Sequence, residues 1–136
     1  MSVLQISVFV ESRPGHLKRI LDLFEQNNVN VRGYSCSDTG DYGIARFVVD
    51  DPERATSALK NAGAAVTQRE ILCLKLNDDP GELARVFGVL SELNMNVKYS
   101  YSLISTYIAV GIDDVSTAEG ALKNQPVEFV SQQDLR

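Results

Sequence analysis

Hydrophobic and polar positions along the chain follow two periods, and their order predicts a β-α-β-β-α-β unit. The first strand has apolar residues at every second position: Leu4, Ile6, Val8 and Val10. The helix after it has apolar residues three or four apart: Leu17, Ile20, Leu21 and Phe24. Strands at about 30–37 and 42–50 follow, then a helix with Asp51 as N-cap and Pro52 at its first position. A strand at about 65–69 completes the unit.

The second half of the chain repeats this order of elements. Pro14-Gly15 recurs 66 residues later as Pro80-Gly81, and Asn28-Val29-Asn30-Val31 recurs at the same offset as Asn94-Met95-Asn96-Val97. Further along, the offset falls to 63. A deletion of three residues is therefore expected in the second copy, opposite the hairpin turn at 39–41, since hairpin turns tolerate changes of length.

Each copy predicts a four-stranded antiparallel sheet with both helices on one face, an α+β ferredoxin-like layout. We assign the domains to residues 1–69 and 70–136. Residues 66–71 contain no Gly, Ser or Pro that would indicate a flexible linker. We therefore expect the two copies to pack closely and to work together.

Composition and charge exclude several classes of function. The net charge of −5 with scattered Lys and Arg argues against nucleic acid or an anionic membrane as partner. No apolar stretch is long enough for a membrane span, and the N-terminus lacks the features of a signal peptide. Cys36 and Cys73 stand alone, and His16 is the single histidine, so we expect no metal site, no cofactor and a reduced, cytoplasmic location.

Catalytic motifs are missing from the sequence. It contains no GxSxG, HExxH, P-loop or GxGxxG pattern, and we predict that the protein is not an enzyme. The carboxylate pairs Asp50-Asp51 and Asp113-Asp114 lie where strands lead into helices, where aspartate is favoured as an N-cap.

The two proline-glycine turns are the sharpest local signals. Each leads from a strand end into a helix, and the N-terminus of a helix exposes unpaired backbone N–H groups that suit a carboxylate. Asp78 or Asp79, beside Pro80-Gly81, could hold an α-ammonium group. This arrangement would satisfy both ends of a zwitterion, although a plain capped turn explains the same residues equally well.

These turns also carry a family resemblance. A strand, then Asp-x-Pro-Gly-x-Leu, then an amphipathic helix ending in Asn-x-Asn-Val resembles the ACT domain. The second copy contains this pattern as Asp78-Asp79-Pro80-Gly81-Glu82-Leu83, and the first copy has Ser12-Arg13-Pro14-Gly15-His16-Leu17 at the same place, so the resemblance covers nearly the whole chain as two domains. The resemblance implies two ACT-type domains joined side by side in one eight-stranded sheet. It also implies a regulatory role and a free amino acid bound where the turn of one domain faces the second strand of its partner.

Carried over by position, the resemblance gives a set of expected ligand-binding residues. In the first copy they are Arg13, Pro14, Gly15, His16, Leu17, Ser35, Cys36 and Ser37. In the second copy they are Asp78, Asp79, Pro80, Gly81, Glu82, Leu83, Ser100, Tyr101 and Ser102. The first copy departs from the family pattern, with Ser12-Arg13 where the family commonly has an acidic residue or Asn. We expect a homodimer, because open sheet edges favour association, and an unidentified regulated protein as partner.

Two alternatives share the topology. An RRM-like RNA-binding module is also βαββαβ, but the strand at 44–49 contains one aromatic residue and the protein is acidic. A small ferredoxin-like enzyme has only Arg13 in its favour. Tyr99 and Tyr101 share a strand face by period two, where they either cover the helix-free side of the sheet or line a pocket or dimer interface.

Overall fold

The computed structural model describes residues 2–136, and in them the chain is α+β, with four α-helices and seven strands. The strands are β1 (Val3–Glu11), β2 (Val31–Asp38), β3 (Tyr42–Val49), β4 (Val66–Lys75), β5 (Tyr99–Ser102), β6 (Tyr107–Gly111) and β7 (Glu128–Phe129). The helices are α1 (His16–Gln26), α2 (Pro52–Asn61), α3 (Glu82–Glu92) and α4 (Val115–Leu122).

The chain divides into two compact units. The first unit comprises Leu4–Arg69 with Leu135–Arg136, and the second comprises Glu70–Asp134 with Ser2 and Val3. Neighbouring strands run in the order β2-β3-β1-β4 in the first unit and β7-β4-β6-β5 in the second. Antiparallel pairing joins β1 to β3, β2 to β3, β4 to β6 and β7, and β5 to β6.

The sequence predicts eight strands, but the described residues form seven, because the last strand of the first copy and the first strand of the second copy are one continuous strand. β4 runs from Val66 to Lys75 without a turn, and its first four residues fall in the first unit. A run of polar residues, Thr67–Glu70, separates the two apolar stretches in the sequence. That run reads as an interval between strands, yet it contains no glycine or proline to end one.

In each unit both helices pack on the same sheet face. The first core joins Ile20 and Phe24 of α1 to the sheet, and Phe24 meets Phe47 edge to face at 5.1 Å between ring centroids. The second core joins Val86 and Leu90 of α3 to β4 and β6. These helix residues are the apolar positions that the three-and-four spacing predicts.

Helices α2 and α4 begin as the sequence indicates. The carboxylate of Asp51 accepts a hydrogen bond from the backbone N–H of Arg54 at 3.1 Å, and Asp114 accepts one from Thr117 at 3.0 Å. Both aspartates are therefore N-caps, as predicted. At the C-terminus, a 3-10 helix over Gln132–Leu135 was not predicted.

Candidate functional site

Both proline-glycine turns use glycine for a conformation that other residues rarely adopt. Gly15 and Gly81 precede α1 and α3 with φ of 88° and 86°, in the left-handed region. A Cβ added at either position would meet nothing within 4 Å. Glycine is therefore required by backbone strain rather than by crowding.

The turns leave backbone donors at the start of each helix. Neither α1 nor α3 has a side-chain cap. Within residues 2–136 nothing accepts a hydrogen bond from the backbone N–H groups of Leu17 and Lys18, or from those of Leu83 and Ala84. Each turn thus presents two adjacent N–H groups at the positive end of a helix dipole, which suits a carboxylate.

In the first unit the turn and strand β2 share a groove. Its volume is about 370 Å³, and five of the expected ligand-binding residues line it: Arg13, Pro14, Gly15, Leu17 and Cys36. Cys36 lies on the helix side of the sheet, because Tyr34, two residues earlier, stacks on the core residue Phe47. By the same alternation, Ser35 and Ser37 lie on the opposite face and do not line the groove.

Asp38 completes this groove and was missed at the sequence level. Its carboxylate accepts hydrogen bonds of 2.6 Å from the hydroxyl of Ser12 and 2.6 Å from the backbone N–H of Gly40. The Ser12 hydroxyl, and then the Gly40 N–H, hold the pKa of Asp38 below its usual value, so the groove carries a negative charge at neutral pH. No local pattern marks Asp38, since only the pairing of β1, β3 and β2 brings it to the turn.

Glu82 stabilises the turn of the second unit through hydrogen bonds. Its carboxylate accepts a hydrogen bond from the backbone N–H of Asn77 at 2.9 Å and pairs with the Arg85 guanidinium at 2.7 and 3.1 Å. Arg85 also donates to the carbonyl of Pro126 at 2.6 Å. The hydrogen bond from Arg85, followed by that from Asn77, lowers the pKa of Glu82 to about 2. Arg85 was not predicted, although its i,i+3 spacing from Glu82 is a recognisable signal.

His16 plays the equivalent part in the first unit. Its Nδ1 accepts a hydrogen bond from the backbone N–H of Glu11 at 2.7 Å, as Glu82 does from Asn77. Arg13 pairs with the Glu11 carboxylate at 2.7 Å. His16 therefore holds the turn and does not line the groove.

The remaining expected residues lie in the second unit. Asp78 and Asp79 are exposed in the turn. On β5, Ser100 and Ser102 pair with the core residues Val110 and Ile108, which places both serines on the helix side of the sheet. Tyr101 lies on the opposite face and stacks on Tyr99 at 6.5 Å between ring centroids.

No three His, Cys, Asp or Glu side chains in residues 2–136 converge as metal ligands would. Over the same residues no helix combines the length and the hydrophobicity needed to cross a membrane.

Comparison with known proteins identifies the family. Two βαββαβ units, each with a proline-glycine turn before its first helix, define a duplicated ferredoxin-like module. The model of the ACT domain pair family matches residues 1–136, and the chain belongs to this family. This assignment confirms the resemblance seen in the sequence.

Solved structures share the fold. A protein from Bacteroides thetaiotaomicron matches with a TM-score of 0.92 at 28% identity, over 99% of this chain and 96% of that one. The ligand-free regulatory subunit of aspartate kinase from Thermus thermophilus matches with a TM-score of 0.66 at 18% identity, over 90% and 89% of the two chains. The corresponding subunit from Thermus flavus gives 0.63 and 19%, over 90% of each chain. A search of curated proteins gave no match.

Proposed function

We propose that this ACT domain pair is a cytoplasmic regulatory protein that binds a free amino acid at its proline-glycine turns. The observation that carries the proposal is the groove of the first unit, which is lined both by Leu17, whose backbone N–H has no acceptor within residues 2–136, and by Asp38, whose carboxylate is ionised. An amino acid needs donors for its carboxylate and an acceptor for its ammonium, and the groove offers both. Two free cysteines favour a reducing compartment.

The ligand's orientation in the first unit follows from these charges. The α-carboxylate accepts hydrogen bonds from the N–H groups of Leu17 and Lys18 at the positive end of α1. The α-ammonium lies against Asp38, whose pKa is lowered and which is therefore ionised. The side chain of the ligand packs between Leu17 and Cys36, and a groove of about 370 Å³ limits it to a small or medium size.

The second unit offers the same donors with a different acid. The N–H groups of Leu83 and Ala84 receive the carboxylate. Asp79 occupies the position of Arg13, so the acceptor for the ammonium comes from the turn itself rather than from the end of the hairpin. Because the two turns use different acids, we expect them to differ in affinity or in preferred amino acid.

The output of binding requires a partner. A fold shared with regulatory subunits of aspartate kinase supports a role as a separate subunit that acts on an enzyme. We further propose a homodimer. Strand β2 is an edge of the first unit and exposes Tyr34 (59%), and such an edge favours pairing with a second copy.

A thermal-shift screen of the twenty standard amino acids at millimolar concentration tests the proposal. A ligand at 100 times its Kd stabilises the folded state by about 2.7 kcal/mol. We expect at least one amino acid to raise the melting temperature, with a smaller shift in Asp38→Asn, Asp79→Asn or both. Glu53→Gln, which removes one exposed negative charge on α2, is the matched control and should keep the full shift. A shift unaffected by both aspartate substitutions would overturn the assignment of the site.

A further inference from the structure

The first unit contains a second cavity beside the same turn. Its volume is about 360 Å³, near the lower end of small-molecule sites. Apolar walls come from Phe9 on β1, from Tyr42 on β3, and from Ile20 and Leu23 on α1. Leu17, Cys36 and Asp38 line the amino-acid groove but not this cavity, and α1 supplies different residues to each.

An aromatic pair at this cavity is unusually open to solvent. Phe9 and Tyr42 are 52% and 51% exposed, and their ring centroids lie 5.9 Å apart with a tilt of 54°. Half-exposed aromatic rings that contact each other provide a ready apolar surface for a ligand. The cavity can therefore receive a flat or branched apolar group.

The polar lining of the cavity carries a net positive charge. Arg13 is paired with Glu11 at 2.7 Å, so these two charges largely cancel. Arg19 has no carboxylate partner within residues 2–136. His16 accepts a hydrogen bond at Nδ1, so the proton of its neutral imidazole is on Nε2, where it can be donated. The unmatched charge is the guanidinium of Arg19.

The second unit shows why Arg19 is unmatched. Arg85 occupies the position equivalent to Arg19, and there the Glu82 carboxylate neutralises it at 2.7 Å. The position equivalent to Glu82 in the first unit is His16, which makes the same hydrogen bond to the strand end but brings no negative charge. Because His16 stands where the second unit has Glu82, the hydrogen bond that stabilises the turn is kept, but within residues 2–136 Arg19 is left as an unpaired cation at the edge of an apolar cavity.

We propose that this cavity binds a small monocarboxylate with an apolar body and no α-ammonium group, separately from the amino-acid groove. The Arg19 guanidinium pairs with the carboxylate, since its planar fork matches the two oxygens. Phe9, Tyr42, Ile20 and Leu23 line the cavity around the apolar body. Net charge decides the class of ligand, because one unmatched cation favours a monoanion over a zwitterion.

A titration of the full ¹⁵N-labelled chain with 3-phenylpropanoate, followed by amide NMR shifts, tests this proposal. We expect saturable shifts at Phe9, Arg19 and Ala64, and none with 3-phenylpropylamine, which has the same body and the opposite charge. Arg19→Gln should weaken binding at least about tenfold, because a charge-assisted hydrogen bond is lost. Phe9→Ala, at a half-exposed position, should also weaken it without affecting folding.

Arg54→Gln makes the same substitution on α2, outside the cavity, and should leave binding unchanged. The absence of saturable shifts at millimolar ligand would overturn the proposal. So would shifts confined to Cys36 and Asp38, or binding that survives both Arg19→Gln and Phe9→Ala. An amino acid that binds the groove while 3-phenylpropanoate fails to bind would refute this inference alone and leave the proposed function standing.

Discussion

Replacement of Gly81 by alanine tests the physical basis of the proline-glycine turns. Gly81 has φ of 86° directly before α3, and an added Cβ would meet no atom within 4 Å. The substitution therefore changes backbone energy and nothing else. Gly88, in the exposed interior of the same helix, also has free space around its Cβ position, and its φ is not positive. The same substitution at these two positions should have opposite effects.

The magnitudes follow from the backbone alone. An alanine held in the left-handed region at position 81 costs roughly 1–2 kcal/mol. An alanine in place of glycine within a helix stabilises by about 0.8–1 kcal/mol, so Gly88→Ala should raise stability. The two variants should differ by roughly 2–3 kcal/mol in the free energy of unfolding. Gly81→Asn should lose less than Gly81→Ala, because asparagine tolerates this conformation.

Urea unfolding followed by circular dichroism measures these differences. The midpoints should fall in the order Gly88→Ala, wild type, Gly81→Asn, Gly81→Ala, with an unchanged slope. If Gly81→Ala were neutral or stabilising, the turn would not hold the left-handed conformation, and the presentation of the Leu83 and Ala84 N–H groups would have no structural basis. Gly15→Ala should repeat the result in the first unit.

Three further predictions concern the second unit and the thiols. The pKa of Glu82 is lowered from 4.5 to about 2, so its ionised carboxylate stabilises the fold above pH 4.5 and this contribution is lost as the pH falls to about 2. The melting temperature of Glu82→Gln should therefore depend less on pH in this window than that of the wild type. A Cβ at Gly111 would lie 2.3 Å from the Tyr99 ring, so Gly111→Ala should cost about 1–3 kcal/mol in urea unfolding and little or nothing in a Tyr99→Ala background. Burial raises the pKa of Cys73 to about 12, whereas Cys36 is exposed. A thiol reagent should therefore label Cys36 at once and Cys73 only on unfolding. Fast labelling of both thiols would contradict the burial of Cys73.

The periodicity of apolar residues and the internal repeat predict most of the fold. The apolar spacing places the helices, and the offset of 66 between Pro14-Gly15 and Pro80-Gly81 aligns two turns of nearly the same geometry. These signals are local, so one sequence is enough to find them. The sequence does not predict that β4 is continuous, because a run of polar residues in the middle of a strand has the same pattern as a loop. Only the strand pairing shows that β4 does not end there.

The candidate site was predictable only where it is local. The turn residues lie next to each other in sequence, whereas Asp38 is 26 residues from its partner Ser12 and reaches the turn through two strand pairings. The exchange of Glu82 for His16 was visible in the aligned copies, but its effect on Arg19 depends on which atoms meet. Only the structure shows that His16 accepts the same hydrogen bond as Glu82 but lacks its negative charge beside the arginine.

Native mass spectrometry of the full chain in an equimolar mixture of the twenty standard amino acids is the most direct test of the central claim. An amino acid that binds the folded protein appears as an added mass that identifies it, and separate samples distinguish leucine from isoleucine, which have equal masses. We predict saturable occupancy by one or two amino acids per chain, reduced in Asp38→Asn, in Asp79→Asn or in both, and unchanged in Glu53→Gln. A wild-type spectrum with no specific adduct at millimolar concentration would contradict amino-acid binding by this ACT domain pair.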